Sequence, residues 1–313
     1  MVDMAKVAFV FPGQGSQWSG MGRDLYDTFD SAKSIFRQAD EILEFPLSRL
    51  CFEGPEDELR QTINAQPALV TTSLACFQAA GEASSDGLPP PLFTAGHSLG
   101  EYTALAVAGV IDFATAIYLA RERGRLMHEA GQTRPGAMAA IIGLDEPALT
   151  DICHRSDTWI ANINCPGQIV ISGTQENLDR AIELVKEKGA LRAIPLQVSG
   201  AFHTPMMQPA ADGMAEILKS VYFRDPDIPV IGNTSAQPLA NAESVKAELL
   251  EQLCHCVRWQ PSVDYMIAGG VTTFIEIGPG KVLTGLIKRT SKEVTTLNLG
   301  DAAAVREFGL TGQ

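Results

Sequence analysis

Gly96-His97-Ser98-Leu99-Gly100 constrains the fold of this chain more than any other stretch of its sequence. It has the G-x-S-x-G spacing of a nucleophile elbow, in which a strand turns sharply into a helix. Such a turn needs glycine at both ends because neighbouring chains approach closely, and it thrusts the central serine out at a helix N-terminus. There, unpaired N–H groups and the helix dipole favour negative charge, and the N–H of Leu99 is placed to donate to an oxyanion. These residue types are common enough for a chance match. The context argues against chance: the apolar run 92–95 reads as a strand, and 99–109 and 113–130 read as apolar helices.

Strands and helices alternate elsewhere too. Residues 7–11, wholly apolar and followed by Pro12-Gly13, fit a buried central strand, as do residues 273–277 before Gly278-Pro279-Gly280. Residues 22–44, with Leu25, Phe29, Ala32, Phe36 and Ala39 at helical spacing, read as one helix, and 55–64 and 66–81 as two more. The middle of the chain reads as strand 136–144, helix 146–155, strands 159–164 and 168–172, helix 175–188 and strand 190–198. That β-α-β-β-α-β order is the split unit of ferredoxin-like domains. The expected fold class is therefore α/β. A large parallel-sheet domain is expected from residues 1–131 and 200–313, with a small ferredoxin-like domain, 132–199, inserted into it.

With 45 % hydrophobic and 19 % charged residues among 313, the chain has the make-up of a globular protein. Its formal net charge of -13 argues against nucleic acid or an anionic membrane as partner. No run approaches the roughly 18 apolar residues of a membrane span, and residues 7–11 are too few for a signal-peptide core. The six cysteines include no C-x-x-C and are expected as free thiols in a reducing cytoplasm. Cys254-His255-Cys256 lacks a second ligand cluster at zinc-like spacing, so no metal is expected.

A serine nucleophile needs a base. Of His97, His128, His154, His203 and His255, the fourth is favoured. It stands in Ser199-Gly200-Ala201-Phe202-His203, where the chain re-enters the large domain and clefts form, although a plain core or surface histidine remains the alternative. His97 is expected on the opposite side of the turn from Ser98. On helix 113–130, Ala116, Ala120, Arg123 and Met127 share one stripe, so Arg123 points inward and must find an anion. That anion is either a structural Asp or Glu or the carboxylate of a ligand. Arg121 and Arg125 share another face and are expected in solvent. The loop Phe11-Pro12-Gly13-Gln14-Gly15-Ser16-Gln17 has three readings: a phosphate cradle without a Walker lysine, a source of backbone donors beside Ser98, or a plain turn.

These features lie among longer stretches: FVFPGQGSQ (9–17), AQPAL (65–69), GHSLGEYTAL (96–105), AGVIDF (108–113), RGRLM (123–127), PGAMAAIIGL (135–144), PGQIVISG (166–173), QL…VRW (252–259) and IEIGPGKVLTGLIKR (275–289). Together they resemble the malonyl-CoA:acyl carrier protein transacylases of fatty-acid and polyketide synthesis, from about residue 6 to 298. The resemblance implies a hydrolase-like α/β domain with a ferredoxin-like insert and the active site between them. It implies Ser98 as nucleophile and His203 as general base, with the backbone N–H groups of Gln14 and Leu99 as the oxyanion hole. Arg123 matches the residue that pairs with the malonyl carboxylate, and Gln252 the residue whose backbone carbonyl orients the histidine. His97, Met127 and Phe202 are expected to line the substrate site. The expected partners are malonyl-CoA and an acyl carrier protein, in a monomeric protein with no cofactor.

The chain departs from the usual pattern in two places. Ala201-Phe202-His203 is closer to the A-F-H of malonyl-selective polyketide acyltransferase domains, and Phe202 would crowd an α-methyl group. Cys254-His255-Cys256 stands where an aromatic-Asn-Pro is more usual, which blurs the assignment of Gln252. Ser98 and His203 would serve an esterase or acyl-thioester hydrolase equally well, and a scaffold with a dead site is a further rival. The carboxylate-binding arginine favours malonyl transfer over both. Lys281, Lys288 and Arg289, and separately Lys186 and Lys188, are the cation clusters that could meet an acidic carrier, or they are ordinary solvated charge.

Overall fold

Short apolar runs that are buried on both faces build the larger of two sheets. In a computed structural model describing residues 6–85, 87–198 and 200–311, β1 (Val7–Phe11) is buried along its whole length. It sits at the centre, parallel to both β2 (Phe93–Gly96) and, on its other side, β8 (Thr273–Ile277). The full order is β7-β2-β1-β8-β9, with β7 being Val230–Ile231 and β9 Thr295–Leu299, and every pairing is parallel. A separate antiparallel sheet has the order β4-β5-β3-β6. Its strands are β3 (Ala137–Ile142), β4 (Trp159–Cys165), β5 (Gln168–Gly173) and β6 (Arg192–Pro195), with helices Glu146–Ser156 and Gln175–Glu187 between them. The expected α/β class, a parallel sheet plus a separate antiparallel one, is the architecture found. The two parts touch where Ile163 of β4 donates to the Val257 carbonyl at 2.9 Å.

The element boundaries differ from the sequence reading in instructive ways. The helix expected over 22–44 is two, Arg23–Thr28 and Asp30–Leu43, because Phe29 turns extended between them and buries its ring. The helices expected over 55–64 and 66–81 are instead Glu56–Arg60 and a single long helix, Thr62–Ala83, that contains Pro67. Proline lacks the N–H that would bond the carbonyl four residues back, which is that of Ile63. Arg121 donates to that carbonyl at 3.0 Å and to Asn64 Oδ1 at 2.7 Å. Arg121 is thus not a solvated surface charge, as expected, but a half-buried brace for the proline turn. Arg125 does lie on the outer face, paired with Glu122 and Glu129. The strand expected over 190–198 shrinks to β6, and Ser199 lies outside the described residues. All six cysteines are free thiols, five of them buried.

Parallel strands bring their carboxyl ends to one edge, and ligands of open α/β sheets bind there. Here that edge collects the loop after β1, the Ser98 turn after β2 and Asn233 after β7. Buried Glu276 of β8 accepts from the N–H groups of Leu283 and Thr284, fixing the start of helix Val282–Thr290 at the same edge.

Candidate active site

The elbow is as cramped as its glycines suggest. A Cβ on Gly96 would overlap the Gly100 carbonyl carbon, and one on Gly100 would overlap the Phe11 carbonyl. Ser98 sits at φ 50, in the left-handed region that non-glycine residues avoid. It is held there from both sides: its N–H donates to Asn233 Oδ1 at 2.6 Å, and its carbonyl accepts from Gln252 Nε2 at 3.0 Å. Leu99 follows as the N-cap of helix Gly100–Val107, so its N–H lies at a helix start.

His203 also adopts a positive φ, 61, in a tight turn where Thr204 Oγ1 donates to the Ala201 carbonyl at 2.7 Å. Its Nδ1 lies 2.7 Å from the backbone carbonyl of Gln252, and its Nε2 lies 2.8 Å from Ser98 Oγ. A carbonyl can only accept, so the proton belongs on Nδ1 and Nε2 is left to accept the Ser98 hydroxyl. Burial and then the charge of Arg123 push the imidazole down to about 3, against partial support from the Gln252 carbonyl.

Arg123, 1 % exposed, crosses under the same hydroxyl. It donates from Nη1 to Gln66 Oε1 at 2.8 Å, and from Nη2 to Gln252 Oε1 at 2.7 Å and to Ser98 Oγ at 3.0 Å. Its guanidinium carbon stands 5.8 Å from the Tyr102 ring centroid, and its Nε is buried without a partner. Among the described residues, then, the hydrogen-bond partners of this buried cation are all neutral. Of the two anions the sequence left open, a protein carboxylate in direct contact is not the one found.

One cleft between the two sheets is lined by Ser98, His203, Arg123, Gln14, His97, Phe202 and Met127, and faced from the antiparallel sheet by Met138, Asn162 and Val170. Gln252 lies fully buried beneath it. The turn alone placed His97 on the side away from Ser98, whereas the resemblance placed it in the substrate site; it lines this cleft, with Nε2 2.9 Å from Asn164 Oδ1 and its ring 5.6 Å from that of Trp259. Gln14 anchors the loop after β1 by donating from Nε2 to Thr62 Oγ1 at 3.1 Å. His128, His154 and His255 are not among the lining residues. Among the described residues no cluster of His, Cys, Asp or Glu is arranged to hold a metal ion, and no helix is long and apolar enough to cross a membrane.

The sequence reading missed Gln66, Asn164, Asn233 and Glu101. Glu101 is the one charged residue of helix Gly100–Val107, a signal that would have flagged it; Gln66 sits in a helix with several other buried polar residues and gave no such signal. Asn233, in Gly232-Asn233-Thr234, looks like any turn asparagine.

The chain is similar to known proteins along nearly its whole length. A family model described as the acyl transferase domain matches residues 8–307. The malonyl CoA-acyl carrier protein transacylase of Bacillus subtilis (strain 168) is 50 % identical over 307 residues, covering 96 % of each chain. The protein of the same name from Escherichia coli (strain K12) is 42 % identical over 306 residues, 96 % of this chain and 98 % of its own. An acyl carrier protein S-malonyltransferase from Vibrio cholerae superposes with a TM-score of 0.92 at 43 % identity, covering 97 % and 99 % of the two chains. A malonyl-transacylase solved in complex with its type II PKS acyl-carrier protein gives 0.94 at 40 %, covering 99 % and 100 %. A chain that shares half its residues with one of these proteins, and its backbone with others along nearly all their length, belongs to the malonyl CoA-acyl carrier protein transacylases of the acyl transferase family.

Proposed function

We propose that this protein moves a malonyl group from malonyl-CoA to the phosphopantetheine thiol of an acyl carrier protein, through an ester on Ser98, in fatty-acid or polyketide synthesis. One observation carries the substrate: Arg123 donates to Ser98 Oγ itself, at 3.0 Å. An anion that takes over this guanidinium must lie close to the reacting carbonyl. In malonyl a single methylene separates carbonyl from carboxylate, whereas the remote end of a long chain would lie too far away. The guanidinium fork suits a carboxylate, with two parallel charge-assisted bonds.

The chemistry follows from the dyad. His203 Nε2 takes the Ser98 proton as Oγ attacks the thioester carbonyl, and the N–H groups of Leu99 and Gln14 receive the oxyanion. The C–S bond breaks, and coenzyme A leaves as the thiol, taking the proton back from His203 and leaving the imidazole neutral. The carrier thiol then gives its proton to His203 and attacks the ester, and Ser98 departs with that proton. The Gln252 carbonyl takes the place of a triad acid, holding the tautomer without a charge. Phe202, buried at the cleft wall, disfavours an α-methyl. Segments 1–131 and 200–313 form the catalytic body and 132–199 the small domain that closes the cleft.

Intact-mass spectrometry after mixing with malonyl-CoA tests the scheme. A malonyl adduct that survives until a carrier thiol is added supports it. Rapid release of free malonate indicates a hydrolase, and no adduct at all indicates a binding protein.

A further inference from the structure

We propose that Glu101 is a positioning residue for substrate choice: by accepting hydrogen bonds at both ends, its carboxylate sets the direction of the Gln252 side-chain amide and so holds Arg123 ready for a carboxylate. The inference rests on the malonyl reading above.

Glu101 is fully buried in the first turn of the helix that follows the elbow. Its Oε1 accepts from the backbone N–H of Asn233 at 3.0 Å and from Asn233 Nδ2 at 3.1 Å. Its Oε2 accepts from Gln252 Nε2. An amide has one donor end and one acceptor end. With Nε2 committed to Glu101 and to the Ser98 carbonyl, Gln252 must turn Oε1 outward, and that oxygen is the one that receives Arg123 Nη2 at 2.7 Å. Asn233 is oriented likewise: Nδ2 faces Glu101 and the Gly96 carbonyl, which leaves Oδ1 for the Ser98 N–H.

Burial first, and then the nearby Glu248, hold the Glu101 carboxyl well above the usual carboxylate range, opposed by the donors of Asn233 and Gln252 and by the charge of Arg123. Both oxygens face N–H groups, so a carboxyl proton would have no acceptor to point at. The ionised form is the one this cage fits. Glu101 then acts as the counter-charge of Arg123 held one amide away. In direct contact it would compete with a ligand carboxylate; through Gln252 it orients the guanidinium and leaves it unpaired.

The isosteric Glu101→Gln variant separates this from simple packing. The Asn233 backbone N–H cannot turn, so the new side chain must present its oxygen there and its NH2 to Gln252 Nε2. Two donors then meet, and the Gln252 amide flips or withdraws, releasing Arg123. The readout is the malonyl-to-acetyl ratio of kcat/KM, with thermal unfolding as a check on folding. Glu101→Gln should lower that ratio by about tenfold or more, the scale of one hydrogen bond to a charged group. Gln252→Leu keeps the backbone carbonyl under His203 and should lower the ratio similarly, and Glu101→Gln placed on top of it should add little. Glu101→Asp keeps the charge and both acceptors and should retain more of the ratio than either. Malonyl and acetyl falling together in Glu101→Gln would overturn the proposal, as would effects that add in full. If Glu101→Gln does not fold, a Glu101→Asp ratio as low as that of Gln252→Leu overturns it too. A wild-type ratio near one sinks the malonyl reading, and this inference with it.

Discussion

Arg123 donates from Nη2 to Ser98 Oγ at 3.0 Å, so before any ligand arrives the cation and the hydroxyl already share a hydrogen bond. A malonyl carboxylate is a far stronger acceptor than a serine oxygen and would take the fork over. Losing one partner of a desolvated charge pair costs roughly 2–5 kcal/mol, well over tenfold in rate. Arg123→Ala should therefore cut kcat/KM for malonyl-CoA by at least that factor and acetyl-CoA by much less. Arg123→Lys should recover only part, because an ammonium cannot make the planar fork. Equal falls for both substrates would make Arg123 a structural residue.

The pH profile carries a second test. His203 is pushed down to about 3 by burial first and by Arg123 second. Its neutral form is the base, so activity is lost only as pH falls through that low value. The profile of kcat/KM should show no acid limb near 6.5, the ordinary histidine value. In Arg123→Ala the second cause is gone, and the limb, read with acetyl-CoA, should move part of the way up. Stability follows the same sign: the unfolded chain binds a proton near 6.5 that the folded one refuses until about 3. This group therefore costs stability progressively as pH falls between those values, by up to about 1.4 kcal/mol per pH unit. A wild-type limb at the ordinary value would refute the assignment of these causes.

How far the site could be read in advance depended on whether chemistry or packing left the trace. Gly96, Ser98 and Gly100 are fixed by a local steric demand, and local demands are visible in five residues. Arg123 showed as the one charge on an apolar stripe. Asn233 left no local trace, and Glu101 only that of a lone charge in a short helix, because their partners lie more than a hundred residues away in sequence, across a contact that only the folded sheet creates. β7 has two residues, too few for any periodicity, yet it delivers Asn233 to the elbow. The break read between 64 and 66 does not occur, because Arg121 from another helix donates to the Ile63 carbonyl that Pro67 leaves open. In each miss, a tertiary contact outweighed a local preference.

Backbone strain at the nucleophile predicts an inverse relation between stability and function. A non-glycine residue at φ 50 costs about 1–3 kcal/mol. Glycine relieves that cost but loosens the unfolded chain by about 0.4–1 kcal/mol. Ser98→Gly should thus be more stable than Ser98→Ala by about 1 kcal/mol in urea unfolding, and neither should acquire a malonyl mass. An alanine variant as stable as the glycine one would mean the elbow stores no strain. A malonyl adduct on the alanine variant would mean Ser98 is not the nucleophile.

The carrier must dock where its thiol reaches Ser98, and the two cation clusters are not equivalent in this respect. Helix Val282–Thr290 sends Val282, Leu283 and Leu286 to the cleft, with Lys281 exposed at its start and Lys288 exposed in its last turn. Arg289 at the same end donates to Gln168 of β5, tying this helix to the antiparallel sheet across the cleft. Lys186 and Lys188 lie exposed at the end of helix Gln175–Glu187, which contributes nothing to the cleft lining. A chain of net charge -13 repels an acidic carrier at long range, so productive encounter needs local attraction at the mouth, acting within a Debye length of about 10 Å at 0.1 M salt. Lys281→Glu with Lys288→Glu should raise KM for the carrier several-fold, more at low ionic strength than at high, because rim charges act chiefly on encounter. Lys186→Glu with Lys188→Glu should do little. The measurement is transfer from malonyl-loaded Ser98 to the carrier at two salt concentrations, which removes the binding of coenzyme A phosphates from the comparison. Equal effects at the two clusters, or none at either, would place the docking surface elsewhere.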